Sequence, residues 1–122
     1  HAGAVARRHD FAEPRAEAAR SLEAAGADVL GANCGHGIDA MVAVARAFRE
    51  VTTMPLIIQA NAGMPESHHG ALVYPETPDF MAARVGSLLE AGVSIIGGCC
   101  GTTPDHIRAI RAAVTARRGP GA

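Results

Sequence analysis

The chain has 122 residues, 48% of them apolar, which is enough for one modest hydrophobic core and excludes a disordered chain. A net charge of −1 with only 3% aromatic residues excludes a strongly basic, aromatic-rich nucleic-acid binder. No apolar run reaches membrane-spanning length, and residues 1–8 lack the charge-then-apolar order of a signal peptide, so the sequence reads as soluble and cytoplasmic, with no nucleic-acid or membrane partner.

Residues 1–12 show no clear period and are expected to form a frayed lead-in; a first residue other than Met points to a processed or excerpted chain. From Pro14, the stripe Ala18, Ala19, Leu22 and Ala25 predicts a helix, with Glu13 and Glu17 at its positive end and Gly26 as its stop. The short apolar run 27–32 reads as a buried parallel strand. A second helix is predicted from Ile38 to Glu50, with Met41, Val42, Ala45 and Phe48 on one face, and a second strand over 55–60. The polar stretch 61–76, with its glycines, prolines and two histidines, is longer than ordinary strand-to-helix loops and reads as a functional loop.

Thr77 and Pro78 supply the cap and first position of a third helix that ends at Glu90-Ala91-Gly92. Residues 93–98 follow as a third strand. Thr103-Pro104-Asp105 starts the last helix with the same cap chemistry; it runs to about Arg117, and residues 119–122 are expected to be a disordered tail. The pattern predicts an α/β domain over 13–118 with parallel strands and flanking helices.

Three cysteines, two of them adjacent, argue against a disulfide framework. Residues 26–35 align without a gap on residues 92–101, pairing Cys34 with Cys100 at the C-terminal tips of two alternate strands. If the three strands lie side by side, Cys34, Cys99 and Cys100 meet at one rim, and three thiolates with a vacant fourth position suit a catalytic zinc. Neighbouring strand residues point to opposite faces, so Cys99 and Cys100 can share a metal only if the chain turns there, which Gly97, Gly98 and Gly101 permit. The alternatives are cysteines buried as small hydrophobes and a redox dithiol, although the C-x-x-C spacing of the latter is missing.

Gly31-Ala32-Asn33-Cys34-Gly35, Gln59-Ala60-Asn61-Ala62-Gly63-Met64-Pro65, Val73-Tyr74-Pro75-Glu76-Thr77-Pro78 and Gly97-Gly98-Cys99-Cys100-Gly101-Thr102-Thr103-Pro104 resemble successive motifs of the homocysteine S-methyltransferase family. That family includes the homocysteine-binding domain of cobalamin-dependent methionine synthase and betaine-homocysteine methyltransferase. The resemblance covers about residues 14–115 and implies the C-terminal three βα units of an eight-stranded (β/α) TIM-type barrel, with zinc on Cys34, Cys99 and Cys100. It implies transfer of a methyl group to a thiol, homocysteine giving methionine, with the metal holding the acceptor as thiolate. Methylcobalamin, betaine, S-methylmethionine or a folate partner would serve as donor.

Asn61, after the second strand, falls between the two cysteine-bearing tips, where the resemblance gives it a catalytic place near the metal's exchangeable position; the alternative is a turn or cap asparagine. Asn33 reads as structural. His68 and His69 read as solvated, His36, Asp105 and His106 as helix-start residues, and Tyr74 and Glu76 as loop residues facing substrate. A barrel of this kind needs about 250 residues. Association with another chain would complete it, and a non-catalytic zinc-binding barrel remnant is the alternative.

Overall fold

The computed structural model describes residues 12–118. The expected tail over 119–122 lies outside the described residues, as does the lead-in apart from Ala12. The element order is α1 (Ala12–Ala24), β1 (Leu30–Cys34), α2 (Ile38–Arg49), β2 (Leu56–Ala60), β3 (Glu66–His68), β4 (Ala71–Val73), α3 (Pro78–Ala82), α4 (Val85–Glu90), β5 (Val93–Gly98) and α5 (Pro104–Arg118). Strands β1, β2 and β5 form a parallel sheet in that order, so the three strands read from the sequence do lie side by side.

Alternation along the strands divides the sheet into two faces. Leu30, Leu56, Ile58, Ala60 and Val93 enter the core, where they meet Ile38, Met41, Val42, Ala45 and Phe48 of α2. Every residue of the predicted apolar face of α2 is buried. Asn33 and Gln59, at alternate positions, are exposed on the opposite face. At the other end of the sheet, the Arg49 guanidinium donates to the carbonyls of Thr52 (2.8 Å), Met54 (2.9 Å), Gly92 (3.0 Å) and Ala91 (3.3 Å). It ties the loops entering β2 and β5 together. No helix among the described residues is long and apolar enough to cross a membrane.

Helix α1 starts at Ala12, with Pro14 inside its first turn, where the missing N–H costs nothing. Its buried pair is Ala16 and Ala19, while Ala18, Leu22 and Ala25 are exposed. Strand β1 begins at Leu30 rather than at 27, because the N–H of Ala27 is taken by the Leu22 carbonyl in the turn after α1, and pairing starts with Leu30 N–H on the Pro55 carbonyl (3.0 Å).

The polar stretch 61–76 holds an antiparallel hairpin, in which β3 pairs with β4 across His69 and Gly70. Both turn residues have positive φ, 52° and 82°, the twist that two-residue hairpin turns require. The predicted third helix is two short ones. Its cap is as expected, with Thr77 Oγ1 accepting from Phe80 N–H (3.1 Å) and Pro78 in first position, but the chain breaks at Ala83 and Arg84.

Candidate metal centre

All three cysteines lie at the C-terminal rim of the sheet, and two local departures from strand geometry bring them together. Cys34 ends β1 with φ 68°, a left-handed value that few residues other than glycine adopt. Beyond β5, the Thr102 N–H donates to the Cys99 carbonyl (3.2 Å), closing a turn over Cys99, Cys100, Gly101 and Thr102. This is the turn the vicinal pair requires. Gly101 has φ 81°, and a side chain there would overlap the Tyr74 ring, so the third turn position demands glycine twice over.

Cys34 Sγ and Cys99 Sγ are 3.2 Å apart, and all three sulfurs lie within 4.8 Å of one another. Among the described residues, no other three His, Cys, Asp or Glu side chains converge in this way. The donor set fits a tetrahedral zinc, whose Zn–S bonds of about 2.3 Å imply sulfur separations of about 3.8 Å. Changes of up to about 1 Å in the sulfur separations would equalise the triangle. Cys34 and Cys99 are half-buried and Cys100 is exposed, so the cluster faces solvent on one side.

The short sulfur contact divides the pair electrostatically. The hydrogen bond with Cys99 is the largest influence pushing the Cys34 thiol up to about 11, followed by burial and the charge of the neighbouring sulfurs. The same hydrogen bond is the main influence lowering Cys99, with smaller help from Cys100 and from the Asn33 amide 4.0 Å away. Three adjacent thiolates repel one another, so the metal-free cluster retains a proton on Cys34 near neutral pH. A bound dication removes that constraint.

Asn61 sits between the tips, as its position after β2 predicts. Its Nδ2 donates to the Gly35 carbonyl (3.0 Å), its Oδ1 accepts from Cys100 N–H (2.9 Å), and its own N–H donates to the Cys34 carbonyl (3.2 Å). The side-chain amide thus joins the loop after Cys34 to the Cys99–Thr102 turn.

A family model for homocysteine S-methyltransferase matches residues 8–114. The chain belongs to the homocysteine S-methyltransferase family. Methionine synthase of Mycobacterium leprae is 41% identical over 95 residues, and that of Mycobacterium tuberculosis 39% over 101 residues. These alignments cover 77% and 82% of this chain, and it spans 8% of the length of each relative. Among solved structures of the family, the apo homocysteine methyltransferase MmuM of Escherichia coli superposes with TM-score 0.61 at 26% identity. That match covers 82% of this chain and 32% of the other. The metallated form of MmuM gives the same TM-score and identity, with 81% and 28% coverage. The parallel strands with flanking helices are accordingly a segment of the family's (β/α) barrel.

His68 and His69 stand in the exposed hairpin, His68 paired with Glu66 at 3.2 Å, and neither joins the sulfur cluster. Glu76, expected to face substrate, instead turns its Oε1 to Ile38 N–H (3.0 Å) at the start of α2. His106 does stand at a helix start, but it is buried and reaches beyond its helix to the Glu76 carbonyl (2.8 Å). This cross-loop connection had no signature in the sequence, because nothing in the spacing of Glu76 and His106 pairs them.

Proposed function

We propose that the chain carries the metal centre of a thiol methyltransferase that converts homocysteine to methionine, with zinc held by Cys34, Cys99 and Cys100. The observation that carries this reading is the convergence of three cysteine sulfurs from two strand ends on one solvent-facing rim. Soft thiolates select zinc over harder cations, and zinc bound there would supply the acceptor thiol in its deprotonated, nucleophilic form at neutral pH. The acceptor follows from the family and from relatives named methionine synthase and homocysteine methyltransferase, one of which has been solved in a metallated form.

In this reading the protein's own groups act before any chemistry. Cys34 gives up the proton it holds through its hydrogen bond with Cys99. Asn61 fixes the separation of the two sulfur-bearing loops and places its amide beside Cys100, where it orients the incoming thiol. Cys100, the most exposed of the three, marks the side from which the acceptor arrives.

The test is metal content and coordination. Protein purified under reducing conditions should bind about one zinc per chain, and replacing any of the three cysteines by alanine should remove most of that affinity. Replacing His68 and His69 together should leave it unchanged. X-ray absorption should show the sulfur count rise from three to four on adding excess homocysteine, and Asn61→Ala, which removes the link between the two sulfur-bearing loops, should weaken zinc binding. A count of four before thiol is added, or of three at saturating thiol, would replace the catalytic centre with a closed structural staple.

A further inference from the structure

Glu76 joins three segments that are distant in sequence. Its N–H donates to the Ala62 carbonyl (3.0 Å) after β2, its Oε1 accepts from Ile38 N–H (3.0 Å) at the start of α2, and its carbonyl accepts from His106 Nε2 (2.8 Å) in α5. The helix-cap position of α2 is Gly37, which has no side chain to satisfy the first helical N–H groups. Glu76 takes over that role from another loop. The fit is close, since a Cβ on Gly37 would lie 2.9 Å from the Glu76 carboxyl carbon.

His106 is 7% exposed, and its tautomer follows from its partners. Thr103 N–H lies 3.1 Å from Nδ1 and can only donate, so Nδ1 accepts and Nε2 carries the proton given to Glu76. Ile38 follows Cys34 by four residues, and Thr103 follows Cys100 by three. The chain of contacts from Ile38 through Glu76 and His106 to Thr103 therefore spans the two loops that carry the sulfurs. It runs parallel to the inner link made by Asn61.

We propose that Glu76 and His106 are positioning residues of the metal centre, a brace that holds the Cys34 loop against the Cys99–Thr102 turn so that the sulfurs converge. Neither residue touches the metal or the acceptor. Their effect passes through two loop backbones, as outer groups do when they orient ligands that bind directly. The inference rests on the zinc reading for its metal-loaded arm and is independent of it in the metal-free arm.

In the loaded arm, chelator competition should show zinc bound about 10–100-fold more weakly in Glu76→Ala, with His106→Ala falling in the same range. The thiolate-to-metal charge-transfer bands of the cobalt-substituted protein should change in both. Glu76→Gln keeps an acceptor oxygen for Ile38 N–H and should stay within about threefold of the unsubstituted protein. Arg49→Ala is the control for a merely structural effect. It removes four hydrogen bonds at the opposite end of the sheet, so it should lower thermal stability and leave zinc affinity unchanged.

In the metal-free arm, a Cys100→Ser background is equilibrated with glutathione. Oxidised glutathione takes two electrons from the Cys34 and Cys99 thiols, giving a protein disulfide and two reduced glutathione molecules. Loss of the brace should shift this equilibrium toward the dithiol by about tenfold, because the two sulfurs no longer face each other. His106→Ala keeps the Glu76–Ile38 contact and reads out the brace even where Glu76→Ala does not fold. If the unsubstituted protein takes up no zinc, the zinc reading falls and the glutathione equilibrium alone decides. Unchanged zinc affinity and an unchanged glutathione equilibrium in variants destabilised as much as Arg49→Ala would overturn the brace.

Discussion

The hydrogen bond between Cys34 and Cys99 determines which sulfur holds a proton before metal arrives. With that contact as the largest cause of the Cys34 rise to about 11, Cys99→Ala should bring the Cys34 ionisation down toward the ordinary thiol range. Ultraviolet thiolate absorbance followed against pH in metal-free protein measures this directly. Below about 11, Cys34 carries a proton that must leave when the metal binds, so zinc affinity rises with pH and binding near neutrality releases protons. Calorimetry in buffers of different ionisation enthalpy should detect that release, and none at neutral pH would contradict the shared-proton picture. The convergence of the cysteines was legible because a vicinal cysteine pair framed by glycines is not what a strand interior calls for and Cys34 ends an alternate strand. Their levels were not. The sequence repeat pairs Cys34 with Cys100, whereas the sheet register sets Cys34 level with Ala60 and Gly98. The positive φ of Cys34 and the turn after Cys99 make up the difference, and both are backbone conformations that residue identity does not announce.

Among the elements, the broken third helix shows where periodicity misleads. Met81, Val85 and Leu88 are all buried at helical spacing, so the apolar stripe passes through the break as though the helix were continuous. Arg84 stands at the break. The Arg84 side chain lies over the Phe80 ring at 3.5 Å, bonds the Phe80 carbonyl (3.0 Å) and reaches Asp39 of α2 (3.1 Å). The start of α3 was readable because its cap is local chemistry, and Thr77→Ala should destabilise the protein by about 1 kcal/mol, with Thr77→Ser close to neutral. Chemical denaturation measures both, and equal loss in the two variants would show that the methyl group rather than the hydroxyl matters. The hairpin β3–β4 escaped the reading for a different reason. Its strands are three residues each with every residue exposed, so no alternation marks them, and its one signal is the His69-Gly70 turn.

For the molecule as a whole, the metal centre and the methyl transfer separate. The three sulfurs, Asn61, Glu76 and His106 all belong to this chain, so in the proposed reading the capacity to hold zinc is local to it. The sheet is different, because among the described residues β1 and β5 each pair on one side only. Beside β5 runs a groove of about 740 Å³ lined by Val93, Ile95, Ile107, Ile110 and Val114, with Ile95 and Ile107 half exposed. An apolar face of this kind beside an unpaired strand edge suits further strands and helices of a closed barrel. The solved relatives place their matching segment within chains about three times as long. Proximity and orientation supply on the order of 7–11 kcal/mol of a catalysed barrier reduction, and the described residues supply only a three-stranded segment of the barrel that would orient the two substrates. The 122-residue chain alone should therefore take up zinc and admit a thiol at millimolar concentration, yet show no measurable methyl transfer to homocysteine with methylcobalamin, betaine or S-methylmethionine. Zinc uptake and methionine formation, measured on one preparation, test the separation. Turnover by the isolated chain would mean that several copies close one barrel, which sedimentation at the assay concentration would reveal as a defined oligomer.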